Sequence, residues 1–240
     1  MLVMNFHHVE ENPSHRDRKV ITITPKGLRN FIRTLRKLGF EIVSMRDVLA
    51  KSDPTKNSDK QVLITFDDGF VNNYENAWPV LEEEKCPATI FLLPGRFSGT
   101  NEWDHAHLPE AERDQLMSLE QIREMGKSKY ITYGSHGLLH VDMRALSDDA
   151  LMHELNESHN ILARDIPESY LPVLAYPWGY HDARVVKAME NTPYRYAFTV
   201  EKGKWTSVDR PYEVPRHSAY FRDRHVIMLL AKLLKSGVLI

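Results

Sequence analysis

The feature that most constrains the fold is a regular alternation of short β-rich runs with stretches of helical periodicity. Apolar runs that predict strands lie at residues 2–6, 40–43, 62–66, 89–93, 130–133, 173–176 and 196–200. Between them, apolar residues recur at helical spacing, as in the segment that begins at Pro25 and ends at Gly39. Strands that alternate with helices predict an α/β fold built mainly of parallel strands.

Length and composition fit a single globular domain that spans residues 1–240. α/β barrels reach about 250 residues as one unit, and 42% apolar residues supply a core. A net charge of −2 provides no basic field, so we expect no nucleic-acid partner. The only cysteine, Cys86, excludes an internal disulfide framework and a cysteine-rich zinc site.

Targeting and membrane signals are absent from the sequence as written. No apolar stretch approaches the roughly 20 residues that cross a bilayer, and residues 1–8 lack the basic region of a signal peptide. We therefore expect a cytoplasmic protein, or a periplasmic or extracellular one if a leader has been removed. Residues 221–240 carry apolar side chains at helical spacing and predict a C-terminal helical extension.

Chemically active residues follow the predicted strands. His7-His8, Asp67-Asp68, His136 and Pro177-Trp178 each come just after a β-rich run. In parallel α/β folds, sites form at the carboxyl ends of the strands. We therefore expect these side chains to meet at one edge of the sheet.

Adjacent carboxylates occur in the segment Thr65–Gly69. Regular strand geometry would send Asp67 and Asp68 to opposite faces, but Gly69 allows the chain to break that geometry. Two carboxylates so close together require a bound cation or a shared proton to relieve their repulsion. The alternative is an ordinary turn, in which Asp and Gly are favoured.

A histidine pair at spacing i, i+4 occurs at His136 and His140. If that segment turns as a helix, both rings lie on one face, and such a pair suits a divalent transition metal. Asp68 would complete a set of two histidines and one carboxylate. The alternative is two ordinary histidines near a surface turn.

Two further segments carry weaker signals. In Ala175–Gly179, Trp178 could line a pocket and backbone N–H groups could face an oxyanion; the alternative is a core aromatic beside a turn. His217 could be a proton donor, because histidine titrates near neutrality; the alternative is an ordinary surface histidine.

Taken in order, these segments resemble the polysaccharide deacetylase family, which carries the NodB homology domain and is carbohydrate esterase family 4. Thr65–Gly69 matches its TFDDG motif, and His136–His140 matches its HxxxH motif. Ala175–Gly179 resembles its third motif in the form AYPYG. Asn5–Val9 resembles the YHHV opening of the branch that acts on poly-N-acetylglucosamine. The resemblance covers about residues 2–220.

The resemblance implies a distorted (β/α) barrel and an enzyme that removes N-acetyl groups from an amino-sugar saccharide, in exopolysaccharide or cell-envelope biosynthesis. It implies a divalent metal ion, usually Zn²⁺ with Co²⁺ or Ni²⁺ as alternatives, that is held by Asp68, His136 and His140. Asp67 is then the general base. The residues expected to contact substrate or oxyanion are His8, Tyr176, Pro177, Trp178, Gly179 and Arg216.

The sequence departs from the family pattern at two places. Ala175 stands where many members carry an arginine that pairs with the base, and Arg216 is our candidate to replace it. The later Leu-x-His motif, which supplies the acid, is not matched literally. His217 is the nearest candidate for that acid, and His181 is its rival.

Two other functions stay open at the level of sequence. One is a hydrolase of the same superfamily that cuts another C–N bond, such as a cyclic amide. The other is a saccharide-binding relative that has lost turnover, although the intact Asp67, Asp68, His136 and His140 argue against it. The sequence leaves the sugar and the oligomeric state open.

Overall fold

Every strand pair of the main β-sheet is parallel in the computed structural model, which describes residues 1–11, 21–56 and 58–219. Its strands are β1 (Leu2–Phe6), β4 (Glu41–Ile42), β5 (Gln61–Phe66), β6 (Ala88–Leu92), β7 (Ile131–Ser135), β8 (Tyr170–Ala175), β9 (Tyr196–Phe198) and β10 (His217–Ser218). Their order is β10-β1-β5-β6-β7-β8-β9, and β4 pairs with β5. A separate pair is formed by β2 (His8–Val9) and β3 (Thr22–Ile23).

Helices occupy most of the connections between these strands. They are α1 (Pro25–Lys37), α2 (Met45–Ala50), α3 (Trp78–Glu83), α4 (Glu102–His105), α5 (Leu119–Met125), α6 (Asp148–Asp165) and α7 (Ala183–Met189). Helix α1 is strongly amphipathic. It begins where the Thr24 hydroxyl accepts a hydrogen bond from the Gly27 amide and Pro25 occupies the first turn. Its apolar face, which includes Phe31 and Leu35, packs into the main core.

The sheet curls until its two ends meet at residues 214–218. Val214 pairs in parallel with Phe198 at the end of β9, while His217 pairs with Met4 of β1. Side chains alternate along each strand, so one set packs inside the barrel and the other packs against the helices. The interior set includes Val3, Leu63, Phe91, Val173 and Phe198.

The predicted α/β class with parallel strands is confirmed, and the limits of the predicted strands differ from the observed ones by up to three residues. Strand β7 runs on to Ser135 instead of ending at Tyr133, because Gly134 and Ser135 pair with β6. Neither residue has a high strand propensity. Tertiary pairing therefore overrides local preference at the strand end that leads into the site.

Two expectations concern segments beyond the barrel. Within residues 1–11, 21–56 and 58–219, no helix has the length and apolarity needed to cross a bilayer. The helical extension predicted at residues 221–240 lies outside the described residues.

Candidate metal centre and catalytic cavity

A cavity of about 500 Å³ opens at the carboxyl ends of the strands. Its lining includes His7 after β1, Asp67 and Asp68 after β5, His136 and His140 after β7, and Trp178 after β8. All strands of the main sheet point the same way, so residues distant in sequence meet at this edge.

The consecutive carboxylates of Asp67 and Asp68 reach one cavity because the backbone changes from extended to left-handed conformation at Asp68. The Asp67 amide still donates to the Phe6 carbonyl at 2.9 Å and so continues the parallel ladder. Asp68 then adopts φ 72° and Gly69 adopts φ 71°. We expected the break at Gly69, whereas Asp68 itself already occupies the left-handed region, which Asp tolerates better than most residues.

Asp68, His136 and His140 form the candidate metal centre. Oδ1 of Asp68 lies 3.4 Å from Nε2 of His136 and 3.4 Å from Nε2 of His140. Tetrahedral ligands about 2.0–2.1 Å from a zinc ion lie about 3.4 Å apart, so these separations fit such an ion. Asp68 Oδ1 is also buried with no hydrogen-bond partner among the described residues. A buried, unpaired carboxylate oxygen is a position that a cation stabilises.

The charge state of Asp68 suits a ligand. Burial by itself raises the pKa of this carboxyl, but the imidazoles of His136 and His140, 3.4 Å away, outweigh burial and hold the pKa well below its usual range. Asp68 is therefore an anion at neutral pH.

The two histidines are oriented by different means. Nδ1 of His136 lies 2.8 Å from the Ala175 carbonyl oxygen. A carbonyl only accepts, so Nδ1 carries the proton and Nε2 keeps its lone pair for a metal. The His140 ring instead stacks on Trp103 at 4.3 Å between centroids and meets Trp178 edge-on at 4.3 Å.

The helical turn that would place His136 and His140 on one face is not formed. The segment has no helical structure, and both Gly137 (φ 84°) and His140 (φ 59°) are left-handed. The rings therefore meet because the loop reverses, and the i, i+4 spacing alone does not account for their contact. Both Nε2 atoms nevertheless lie 3.4 Å from the same Asp68 oxygen, so the three ligand atoms are close enough together to share one metal ion.

Asp67 is held by a buried arginine. Nη1 and Nη2 of Arg216 lie 2.8 and 2.9 Å from the two carboxylate oxygens, and the Asn5 amide donates to Oδ2 at 2.8 Å. Arg216 has no exposed surface, and its Nε donates to the Thr199 carbonyl at 2.8 Å. This is the contact expected of Arg216 as the substitute for the arginine missing at Ala175.

The pairing sets the ionisation of Asp67. Burial by itself raises the pKa of the carboxyl, but the positive charge of Arg216 and its two hydrogen bonds lower the pKa below its usual value. Asp67 is thus an anion at neutral pH, as a general base must be.

The structure does not bring His217 into the cavity. Its neighbour Arg216 points into the barrel, so strand alternation turns His217 to the outer face, and it is not among the residues that line the cavity. Burial lowers the pKa of His217, which favours the neutral ring. The rival His181 also lies elsewhere, stacked on Tyr176 and 3.7 Å from Glu213.

A histidine that our sequence reasoning did not assign as an acid does line the cavity. Nε2 of His7 lies 4.0 Å from Asp67 Oδ2, and one fifth of its side chain is exposed. The signal was present in the sequence, since His7 directly follows a predicted strand. The motif comparison directed attention to the C-terminal part of the chain instead.

The remaining predicted residues divide into two groups. Trp178 and His8 line the cavity, with Trp178 in a left-handed turn at φ 52° and His8 buried and stacked on Phe70. The buried Tyr176, Pro177 and Gly179 do not line it. They form the turn that presents Trp178.

The chain is similar to known proteins. A family model described as polysaccharide deacetylase matches residues 55–197. The poly-β-1,6-N-acetyl-D-glucosamine N-deacetylase of Staphylococcus epidermidis is 26% identical over 235 residues, covering 90% of this chain and 77% of that protein. A Bacillus subtilis relative, YxkH, is 27% identical over 202 residues, and the chain spans 64% of its length.

Solved structures agree on the fold. IcaB from Ammonifex degensii superposes with a TM-score of 0.75 at 22% identity, over 96% of this chain and 95% of that one. The Streptococcus pyogenes deacetylase PplD, in complex with acetate, gives a TM-score of 0.75 at 18% identity, over 95% and 96% of the two chains. The predicted distorted (β/α) barrel is therefore confirmed.

Proposed function

Because the chain belongs to the polysaccharide deacetylase family, we propose that it is a metal-dependent hydrolase that removes N-acetyl groups from an amino-sugar saccharide and releases acetate. One observation carries the proposal: a buried carboxylate–histidine–histidine cluster lies beside an arginine-paired carboxylate in a single cavity. The name of the staphylococcal relative supports a substrate that contains N-acetylglucosamine.

The metal is a divalent ion held by Asp68, His136 and His140, with Zn²⁺ as the first candidate and Co²⁺ or Ni²⁺ as alternatives. A ligand set of two imidazoles and one carboxylate suits all three ions. When bound, such an ion supplies Lewis-acid polarisation of the amide carbonyl and lowers the pKa of a water molecule.

Asp67 acts as the general base. A carboxylate offers about four acceptor sites, and the hydrogen bonds from Arg216 and Asn5 occupy three of them. The remaining site is on Oδ1, which accepts the proton of the attacking water. Arg216 keeps this carboxylate ionised and fixes its orientation.

His7 donates the proton to the departing amine. His7 lines the cavity, and its imidazole lies 4.0 Å from Asp67 Oδ2 and is partly exposed. A partly exposed ring can be reprotonated from solvent after each turnover. We therefore assign the acid to His7 in place of His217.

The Trp178 turn contacts the substrate. We assign its backbone N–H to the oxyanion and its indole ring to the sugar face, because the ring lines the cavity. Tyr176, Pro177 and Gly179 act by shaping this turn, and His8 contributes to the opposite wall. A cavity of about 500 Å³ has the size of pockets that hold small organic ligands.

The test is acetate release from N-acetylglucosamine oligomers by the purified protein, after chelation and again after addition of zinc, cobalt or nickel. The matched variant is Asp67→Asn, which keeps the metal ligands and removes the base. We expect release that depends on metal in the wild type, and stoichiometric metal without turnover in the variant.

Other outcomes point elsewhere. Stoichiometric metal without acetate release from any oligomer would favour a different amide substrate, such as a cyclic amide. Absence of both metal and release would contradict the proposal and favour a saccharide-binding protein.

A further inference from the structure

The loop that carries the two histidines is bonded to side chains of helix α6. Glu154 and Ser158 are four residues apart on α6 and therefore face the same side, one turn from each other. Both are buried, with 4% and 0% of their surface exposed, on the helix face that also buries Leu151, Leu155 and Leu162. A carboxylate and a hydroxyl thus interrupt an otherwise apolar face, directly under residues 137–139.

Glu154 satisfies two amides of the loop at once. Its Oε1 accepts from the Leu138 amide at 2.7 Å and from the Leu139 amide at 2.8 Å. Because the left-handed backbone at Gly137 and His140 prevents helical hydrogen bonding, these amides have no carbonyl four residues earlier in reach. A carboxylate oxygen with two lone pairs accepts from both.

Ser158 fixes the preceding residue through a chain of hydrogen bonds. Its hydroxyl donates to the Gly137 carbonyl at 3.0 Å and lies 2.6 Å from the Ser135 hydroxyl. Since Ser158 has one proton, Ser135 donates to Ser158 and accepts from the Gly137 amide at 3.1 Å. Side chains of α6 therefore hold the backbone of residues 137–139 by hydrogen bonds.

His140 depends on this support more than His136 does. His136 is anchored by Nδ1 on the Ala175 carbonyl, whereas Nδ1 of His140 has no hydrogen-bond partner within the described ranges. Apart from the Asp68 carboxylate, the His140 ring contacts its aromatic neighbours Trp103 and Trp178, and its position otherwise depends on the loop backbone. A shift of that backbone moves Nε2 away from Asp68 Oδ1.

We propose that Glu154, assisted by Ser158, is a positioning residue that fixes the 136–140 loop and thereby sets the affinity of the site for its divalent ion. The inference rests on the metal centre of the proposed function, but not on the identity of the sugar. Glu154 touches neither metal nor substrate, and its effect is transmitted through the Leu138 and Leu139 amides. Burying a carboxylate is costly unless it is bonded, which argues against packing as its purpose.

The test compares zinc affinity, measured by competition with a chromophoric chelator, in the wild type and in variants at position 154. Glu154→Ala removes the acceptor, and we expect affinity to fall about 10–100-fold, as for loss of other supporting groups around metal ligands. Glu154→Gln keeps an acceptor oxygen, so we expect it to retain most of the affinity. Glu157→Gln on the same helix is the matched control for charge and should bind zinc as the wild type does.

Hydrogen–deuterium exchange of the metal-free proteins supplies an independent readout. Exchange should accelerate at residues 137–140 in Glu154→Ala while the strands of the barrel keep their protection, which also checks that the variant is folded. Unchanged zinc affinity with Glu154→Ala, or unchanged exchange in the loop, would overturn the inference. Failure of the proposed function looks different, because the wild type would then bind no zinc or release no acetate.

Discussion

At the scale of the residue, the chemistry of Asp67 is set by a partner 149 positions away in the chain. Arg216 and Asp67 are 0% and 3% exposed, so both charges are removed from water. Such a pair adds little net stability, but removing one partner leaves an uncompensated buried charge. The pair is therefore better explained by the need for an oriented, ionised base than by folding stability.

A double-mutant cycle tests that pairing. We expect Arg216→Met to lower the free energy of unfolding by about 3–5 kcal/mol and to abolish turnover. In the Asp67→Asn background, Arg216→Met should lower the free energy of unfolding by clearly less, because no anion is left unpaired. Urea unfolding measures the four values; equal costs in both backgrounds would contradict the pairing.

The identity of the acid is a second question at this scale. We expect His7→Gln to lower kcat by about 10²–10⁴-fold, the usual contribution of a general acid, while zinc remains bound. His217→Gln should leave kcat within a few-fold of the wild type, because His217 faces away from the cavity. Steady-state kinetics with metal analysis decides between them, and the reverse pattern would restore His217 as the acid.

At the scale of the element, the turns that follow the strands place the side chains in the cavity. Asp68, His140 and Trp178 all have positive φ although none is glycine. Each such residue costs about 1–2 kcal/mol, which surrounding contacts must offset. These three line the cavity, whereas Lys85 and Ser98, the other non-glycine residues with positive φ in the described part of the chain, do not.

Gly179 tests how tightly the Trp178 turn is built. A Cβ there would clash with Val200 Cγ2 and would lie 2.8 Å from the Val200 nitrogen. We expect Gly179→Ala to lower the free energy of unfolding by about 2–5 kcal/mol, from φ strain plus the clash. Gly39 has a similar φ of 78° but open space around its Cβ position, so Gly39→Ala should cost only about 1–2 kcal/mol.

Thermal or urea unfolding of both glycine variants provides the comparison. A Gly179→Ala protein no less stable than Gly39→Ala would mean that the turn relaxes freely. In that case the close contact with Val200 would not hold Trp178 in place.

At the scale of the whole molecule, the candidate metal centre brings together residues from separate parts of the barrel. Asp68 follows β5, while His136 and His140 follow β7, with β6 between them in the sheet. An ion that binds only the folded chain stabilises it by mass action. Binding of the metal ion should therefore raise the stability of the whole protein against unfolding.

Chelation and zinc addition test this coupling. With free zinc about 1,000-fold above Kd, the gain is about 4 kcal/mol, which corresponds to a rise of about 8–16 °C in Tm for a chain of this size. Asp68→Asn should lose most of that rise. Calorimetry of both proteins with and without zinc measures it, and a wild-type Tm indifferent to zinc would contradict a metal centre at these residues.

The amino-acid sequence by itself determined the α/β class, the parallel strands and the residue types of the metal centre, because hydrophobic periodicity and short motifs are local. Asp68, His136 and His140 could be named from such patterns. The two histidines meet without the helical turn that their i, i+4 spacing allows, because residues 136–140 form a loop that is hydrogen-bonded to side chains of α6.

Only the tertiary structure decided which distant residues complete the site. Arg216 could be suggested from the sequence, but its two hydrogen bonds to Asp67 depend on closure of the barrel by residues 214–218. We propose His7 in place of His217 as the acid, because alternation along the last strand turns His217 outward and His7 lines the cavity. Glu154 belongs to no motif that the sequence analysis recognised. The physical reason is common to all three: contacts across a parallel barrel are set by strand order and register, which local sequence does not encode.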